Sequence, residues 1–209
     1  MKRLNRKRSL RLLATGLALA ALAACQPQRP EGWAEASHGP EAAPHYDLLF
    51  DDAVVHRIDI TIEPEIHQAM QLDLERFVTT QRPPGEALPA PPQPQDQGPL
   101  TQADPIWVPV DVELDGLTWW HVGMRYKGNS SLKTAVATGV GKLAFRLNFD
   151  KFEDDYPSIR NQRFHGFKKM TFSNAFKDPS LIRDKLGADI FRRAGLPAAR
   201  AALARVYVD

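Results

Sequence analysis

The chain has 209 residues, 43% of them hydrophobic, which is enough for one globular domain with additional segments. Its formal charge of +2 is set by the amino terminus, because six of the 27 basic residues lie among the first eleven. Without residues 1–24, the remaining 21 basic residues face 25 acidic ones, a charge of about −4. This balance argues against nucleic acid as a partner.

The first 25 residues have the pattern of an export signal. An uncharged run at residues 12–24 follows the basic start; it is too short to span a bilayer but suits the apolar core of a signal peptide. It ends in LAAC, which resembles the lipobox of bacterial lipoproteins, and Cys25 is the single cysteine of the chain. We predict a signal peptide at 1–24, lipidation of Cys25, and an exported protein anchored in the lipid bilayer. The alternative is an ordinary secretory signal beside a chance cysteine.

The residue after the cysteine is Gln26 rather than aspartate, which in Gram-negative lipoproteins accompanies delivery to the outer membrane. We therefore expect the outer membrane, with the protein on its periplasmic or surface face.

Three segments are predicted next along the chain. Residues 25–45 are rich in Pro, Ala, Glu and Gly without an apolar period, which predicts a flexible tether. An alternating strand at 54–62 and a helix at 63–77 make residues 46–80 a strand–helix segment. Residues 81–105 hold eight of the 17 prolines and are predicted to be a solvent-exposed linker.

Residues 106–209 are predicted to form the main α+β body. Strands at 108–114 and 118–126 flank Asp115 and Gly116, a hairpin-turn pair. Further elements are strands at 142–149, 168–172 and 204–208 and a helix at 178–195. An antiparallel sheet with one packed helix is the expected arrangement.

The helix at 178–195 has the clearest boundaries. Asp178 is a cap residue, Pro179 follows at the first helical position, and Gly195 ends the helix. Its apolar residues predict a stripe buried against the sheet: Leu181, Ile182, Leu186, Ile190 and Phe191.

A short basic loop, RYKGNSS at residues 125–131, follows the hairpin directly. Glycine permits close approach of the backbone, hydroxyl and amide groups supply hydrogen bonds, and cations neutralise charge. The loop therefore indicates an anion site, although it matches neither GxxxxGK[ST] nor GxGxxG. A tight turn is the alternative, because glycine and asparagine are common turn residues.

Three stretches in this order resemble the N-terminal part of the spore coat protein H family, the CotH kinases. They are VGMRYKGNSS, GKLAFRLNFDKFEDDYP, and the run from RFHGFKKMTF to the carboxyl terminus. The resemblance implies the small lobe of an atypical protein kinase, which binds ATP with a divalent metal and phosphorylates serine on a protein substrate.

The resemblance also implies roles for individual residues. In a kinase small lobe, a sheet lysine pairs with the α- and β-phosphates and an acid on a neighbouring helix orients it. Lys142 is the candidate lysine and Asp189 the candidate acid; the alternatives are a solvent-facing Lys142 and an Asp189–Arg193 ion pair. The implied nucleotide-binding positions are Lys142, Arg125, Lys127, Gly128, Asn129 and Ser130.

No residue of the chain is predicted to transfer a phosphoryl group. In kinases the catalytic base and the metal ligands belong to the second lobe, so we expect a truncated chain with the Mg²⁺ ligands beyond Asp209. The resemblance implies an ATP:protein phosphotransferase, and we expect this fragment to be inactive. The alternative is a non-catalytic cell-envelope or coat-associated binding module that uses Trp107, Trp119 and Trp120, unless these pack the core.

The histidines lack the spacing of a zinc site. The acidic cluster at 150–155 lacks the spacing of a calcium loop, and a solvated turn is expected there.

Overall fold

The computed structural model describes residues 27–79, 105–128 and 130–209. The strands of its central sheet are β1 (His56–Thr61), β2 (Val108–Leu114), β3 (Leu117–Tyr126), β4 (Phe145–Asn148), β5 (Lys169–Phe172) and β6 (Ala204–Val208). The helices are α1 (Glu35–His38), α2 (Tyr46–Leu49), α3 (Pro64–Thr79), α4 (Ser130–Ala137) and α5 (Arg183–Arg193), with a 3-10 turn at Pro157–Ile159.

The six strands form one sheet in the order β5-β4-β3-β2-β1-β6. The pairings from β1 through β5 are antiparallel, whereas β6 lies parallel to β1. The predicted α+β class is confirmed, and the antiparallel prediction is wrong only at β6. Because β1 belongs to the predicted strand–helix segment, its pairing with β2 and β6 joins that segment and the main body into one sheet.

The β2–β3 hairpin forms where its turn residues predict it. Asp115 and Gly116 both have positive φ, 52° and 76°, as the two central residues of a type I′ turn require. The register shifts between Val110 and Val112, so β3 carries a bulge at Trp120 and His121, and the φ of His121 is 49°.

One face of the sheet carries the hydrophobic core, and α3 packs on it. Ile58 and Ile60 of β1 are buried there, as the alternation predicts. Met70 and Leu74 of α3 are buried as well, and Gln71 donates a hydrogen bond to the Tyr126 hydroxyl at 3.2 Å. The predicted helix at 63–77 is thus confirmed, and it packs on the core face of the sheet.

The helix predicted at 178–195 differs from the structure in its start and its packing. It begins at Arg183, because Asp178 and Pro179 belong to the preceding loop. No residue of α5 is buried. The predicted buried stripe is wrong, since all five of its apolar residues are exposed: Leu181, Ile182, Leu186, Ile190 and Phe191.

The segment predicted as a flexible tether packs on the body from Arg29 onward. Arg29 donates hydrogen bonds to the carbonyls of Ser158 at 3.1 Å and Arg160 at 2.9 Å. His38 is fully buried, and its ring stacks on Trp119 at 4.7 Å between centroids. Composition alone does not predict these contacts, because the segment is mostly polar and its packing depends on particular residues such as Arg29 and His38.

Two local differences lie near the basic loop. Helix α4 begins at Ser130, where the sequence predicts a loop, and it buries Leu132 and Ala135 three positions apart. Strand β4 begins at Phe145 rather than at residue 142, after an irregular stretch in which Gly139 has a φ of 71°.

Candidate functional site

A cavity of about 290 Å³ opens at the end of β3, between the basic loop and the segment that follows β5. Its lining residues come from three stretches of chain: Lys127, Gly128, Ser131, Ala144, Ser173, Asn174, Ala175, Phe176, Asp178, Arg183 and Asp184. The wall combines two cations, two carboxylates, hydroxyls and an amide, a mixture suited to a polar, charged ligand.

The basic loop reaches this cavity through Lys127 and Gly128. The Lys127 amide donates to the Ala144 carbonyl at 2.9 Å, which holds the loop against the start of β4. Gly128 has a φ of 101°, and a Cβ placed there would lie 2.6 Å from the Ser131 hydroxyl oxygen. The backbone conformation therefore favours glycine at this position, whereas the Ser131 hydroxyl could rotate away from an added Cβ.

The opposite wall is a loop held in strained backbone conformations. Ala175, Lys177 and Leu181 have φ values of 52°, 59° and 64°, which are uncommon for residues other than glycine. Such strain persists only where the surroundings enforce it, and it concentrates at functional sites. This loop is the segment that closes the cavity over the end of the sheet.

Asp178 fixes the shape of that loop. Its carboxylate accepts hydrogen bonds from the Ser180 hydroxyl, from the Ser180 amide at 3.0 Å and from the Arg183 amide at 2.8 Å. The hydrogen bond from the Ser180 hydroxyl, followed by that from the Arg183 amide, lowers the pKa of Asp178. Its carboxylate thus supports the loop that leads into α5.

Lys142 does not open a strand and does not line the cavity. It is exposed and lies three residues before β4, so its predicted place on a sheet strand is wrong. Its backbone carbonyl accepts a hydrogen bond from the Asn174 side chain at 2.9 Å. Lys142 therefore anchors the cavity wall through its main chain, whereas Lys127 is itself one of the lining residues.

Asp189 is held by other partners than the one predicted. Its carboxylate lies 2.7 Å from the Lys185 ammonium and also pairs with Arg192. The hydrogen bond from Lys185 is the main cause of its lowered pKa. Lys185 also contacts Asp52 at 2.7 Å, which ties α5 to the chain before β1. Among the described residues, the structure does not bring Asp189 to Lys142, and Arg192 takes the place expected of Arg193.

The other predicted positions are spread around the site. The Arg125 guanidinium lies over the Trp107 ring at 4.8 Å, and Ser130 is the exposed first residue of α4. Asn129 and Cys25 lie outside the described residues.

The cavity lies in the part of the chain that a comparison with known families identifies. A family model described as CotH kinase protein matches residues 124–209. Residues 124–209 are therefore similar to the CotH kinase family. Every lining residue of the cavity falls within it, and the match confirms the resemblance predicted from the sequence. A search of curated proteins returned no match to the chain.

The sequence did not indicate several cavity residues of this CotH region. They lie after β5 and at the start of α5: Ser173, Asn174, Asp178, Arg183 and Asp184. The sequence predicts Asp178 as the cap of the helix. Its carboxylate does accept a hydrogen bond from the Arg183 amide at the start of α5, but Asp178 lies five residues before that helix. The Ser173 hydroxyl donates to Asp184 at 2.9 Å, a contact that only the folded chain reveals.

Among the residues that the structure describes, no three carboxylate, histidine or cysteine side chains form a group that could hold a metal ion such as the implied Mg²⁺. The two cavity carboxylates, Asp178 and Asp184, already accept hydrogen bonds.

At the acidic cluster, Asp150 is buried and lies 2.8 Å from both Arg163 and Lys168. The prediction of a solvated turn is therefore wrong at that residue.

Two further expectations can be compared with the described residues. Trp119 is fully buried, which removes it from the tryptophan surface of the alternative binding module. Within 27–79, 105–128 and 130–209, no helix has the length and apolar character needed to cross a membrane.

Proposed function

We propose that the cavity binds the phosphates of ATP and that the chain is a kinase-like CotH-family protein. The observation that carries the proposal is the position of the cavity, since all of its lining lies within the CotH match. Lys127 supplies a cation and Gly128 permits close approach of the backbone, while Ser131 and Ser173 supply hydroxyl donors.

The phosphates would interact with the end of β3 and the start of α4. Lys127 and Arg183 stand on opposite walls of the cavity, so an anion between them gains attraction from both. Asp178 and Asp184 lie on the same wall as Arg183, and a phosphate close to either carboxylate would be repelled, so the phosphates should lie nearer to Lys127. The description of the matching family favours phosphoryl transfer, and we propose a serine of a protein substrate as the acceptor, with no group of this chain assigned to the transfer.

The proposal includes export and lipidation at Cys25. The basic start, short apolar run and LAAC sequence support a lipid-anchored protein, whose cavity would then lie outside the cytoplasm. Phosphoryl transfer there would require a source of ATP on that side of the membrane.

Binding of Mg·ATP to the full 209-residue chain, kept in detergent, tests the nucleotide site by titration calorimetry. We expect Lys127→Ala to weaken binding about tenfold, because a charge-assisted hydrogen bond contributes roughly 1.5–3 kcal/mol. Lys142→Ala should change binding little, because Lys142 contacts the cavity wall through its backbone carbonyl.

Lys133→Ala is the matched control, since Lys133 lies on α4 over the Phe77 ring rather than in the cavity. Absence of Mg·ATP binding by the wild-type chain would contradict the proposal. Equal losses of Mg·ATP affinity in all three lysine variants would show that the effect comes from the overall charge of the protein, and would contradict the assignment to the cavity.

A further inference from the structure

Helix α5 turns its apolar side to solvent. Ile182, Leu186 and Ile190 follow one another at intervals of four residues, so they form one stripe along the helix. Leu186 is 53% exposed and Ile190 is 58% exposed. Together with the exposed apolar residues on either side of this stripe they make up the α5 face: Leu181, Ile182, Leu186, Ile190, Phe191 and Leu196.

The charged side of α5 is less exposed than its apolar side. Lys185 and Asp189 are paired at 2.7 Å, and their side chains are only 20% and 21% exposed. Lys185 also contacts Asp52, before β1, at 2.7 Å, and Arg192 pairs with Asp189. A helix at the surface of a globular domain ordinarily buries its apolar stripe and exposes its charges. The reversed orientation of α5 indicates that another surface covers its apolar side.

The space in front of the α5 face is open. Gly187 lies four residues before Phe191 and next to Leu186, and no atom of the described residues would lie within 4 Å of a Cβ added there. Exposed apolar residues are unremarkable when they are scattered, whereas a contiguous group marks a site of interaction with a protein or a membrane. The α5 face is such a group, so it requires a partner with an apolar surface.

Charge separates the segment that carries the α5 face from the chain before it. Residues 181–205 hold six basic and two acidic residues, a net charge of +4. Residues 25–180 hold 15 basic and 22 acidic residues, a net charge of −7. Two copies of the protein that met through their α5 faces would bring two positive segments together, and these would repel each other. An anionic partner would instead be attracted.

An apolar helix face bordered by arginine is typical of helices that lie in the plane of a membrane surface. In such helices the apolar side chains enter the boundary between headgroups and acyl chains, and arginine extends to the headgroups. Arg193 is exposed and follows Ile190 by three residues, so it borders the α5 face. Helix α5 has 11 residues, well short of the roughly 20 that cross a bilayer, so it would lie along the surface.

We propose that the α5 face lies on the surface of an anionic lipid membrane, with its apolar side chains below the headgroups and Arg193 among them. An acidic protein would satisfy the same charges, so the choice of lipid rests on the proposed export and lipidation, which bring a membrane to the chain. The contact itself needs no acyl chain at Cys25 and can be measured without one.

A fluorescent label on α5 tests this contact in the full chain, reconstituted into lipid vesicles. Cys25→Ser combined with Ile190→Cys leaves one thiol, on the α5 face, for an environment-sensitive dye. In vesicles that contain phosphatidylglycerol we expect blue-shifted emission, quenched by lipids that carry a nitroxide on the acyl chain. In vesicles of phosphatidylcholine alone the quenching should be weaker, because the attraction between arginine and anionic headgroups is absent.

Two matched variants control for the position of the label and for charge. Leu72→Cys in the Cys25→Ser chain places the dye on α3, where Leu72 is 47% exposed, and its emission should not be quenched. Arg193→Gln should shift the equilibrium of α5 about fivefold away from the lipid, because it removes one cation near an anionic surface. Lys133→Gln on α4 should leave it unchanged, since Lys133 lies over the Phe77 ring.

The absence of lipid quenching at position 190 in phosphatidylglycerol vesicles would overturn the inference. A blue shift without lipid quenching would overturn it as well, because protein rather than lipid would then cover the α5 face. Equal quenching at positions 72 and 190, equal quenching in both kinds of vesicle, or equal shifts in Arg193→Gln and Lys133→Gln would also contradict it.

The acyl anchor and the α5 contact can fail separately. Palmitate incorporation into the wild-type chain without lipid quenching at position 190 would overturn the α5 contact and leave the lipoprotein proposal standing. Lipid quenching at position 190 in a protein whose wild type takes up no palmitate would support the α5 contact and overturn the lipidation of Cys25.

Discussion

His165 is one of the histidines that the fold holds in the neutral form. It is buried beside Trp119, and the His45 ring lies 5.9 Å away between centroids. Burial, followed by repulsion from His45 and His38, lowers the pKa of His165 from 6.5 to about 4. Burial also lowers the pKa of His38, so protonation at either site opposes the packing of the segment before β1 on the body.

The free energy of unfolding should therefore fall on mild acidification. The contribution of neutral His165 is fully present above pH 6.5 and is lost as the pH falls toward 4, since the unfolded chain takes up the proton first. We expect about 2 kcal/mol less stability at pH 5 than at pH 7.5 from this residue, measured by urea unfolding.

The carboxylates whose pKa is lowered affect this window little. The pKa of Asp178, for example, lies below its usual 3.8, so its stabilisation is present above that value and is lost only at lower pH. His165→Gln should reduce the difference between the two pH values, and the exposed His67→Gln should preserve it. Identical stability of the wild-type chain at both pH values would refute this assignment.

At the scale of elements, α3 and α5 have similar apolar patterns but different environments. Leu74 of α3 is 4% exposed, whereas Leu186 of α5 is 53% exposed. We expect Leu74→Ala to cost about 2–5 kcal/mol in the free energy of unfolding, because it leaves a cavity in the core. Leu186→Ala should cost less than about 1 kcal/mol, because no packed neighbours are lost.

Denaturant unfolding of both alanine variants measures this difference, and the two variants control for each other because leucine and alanine differ little in helix propensity. A large loss in Leu186→Ala would show that α5 is covered in solution.

The sequence predicted the positions of the strands more accurately than the packing of the helices. Alternation predicted β1 and β2, and Asp115 with Gly116 predicted the hairpin, because these signals depend on neighbouring residues. The apolar stripe of α5 specified a face but not what covers it. Likewise, the residue types of the basic loop predicted Gly128 as a site residue. Arg183 and Asp184 were not predicted, because the path of the loop after β5 brings them to the cavity and the sequence does not reveal that path.

At the scale of the whole molecule, lipidation would fix the sheet and its cavity to a membrane surface. We expect cells that express the wild-type protein to incorporate labelled palmitate into it, and Cys25→Ser to abolish the label, because the single thiol is the proposed acceptor. The protein should then partition with the membranes only when Cys25 is present. A wild-type protein that carries no label would count against the lipoprotein hypothesis.

The parallel pairing of β1 with β6 affects the order in which the chain can fold. His56 lies opposite Ala204, so the outer partner of β1 is made only after all the intervening elements. Pairings between segments so distant in the sequence form slowly, since the loop must close before contacts compensate for its entropy. The outer edge of β1 therefore stays unpaired until β6 has been synthesised, and a nascent chain that stops short of Ala204 has an incomplete sheet.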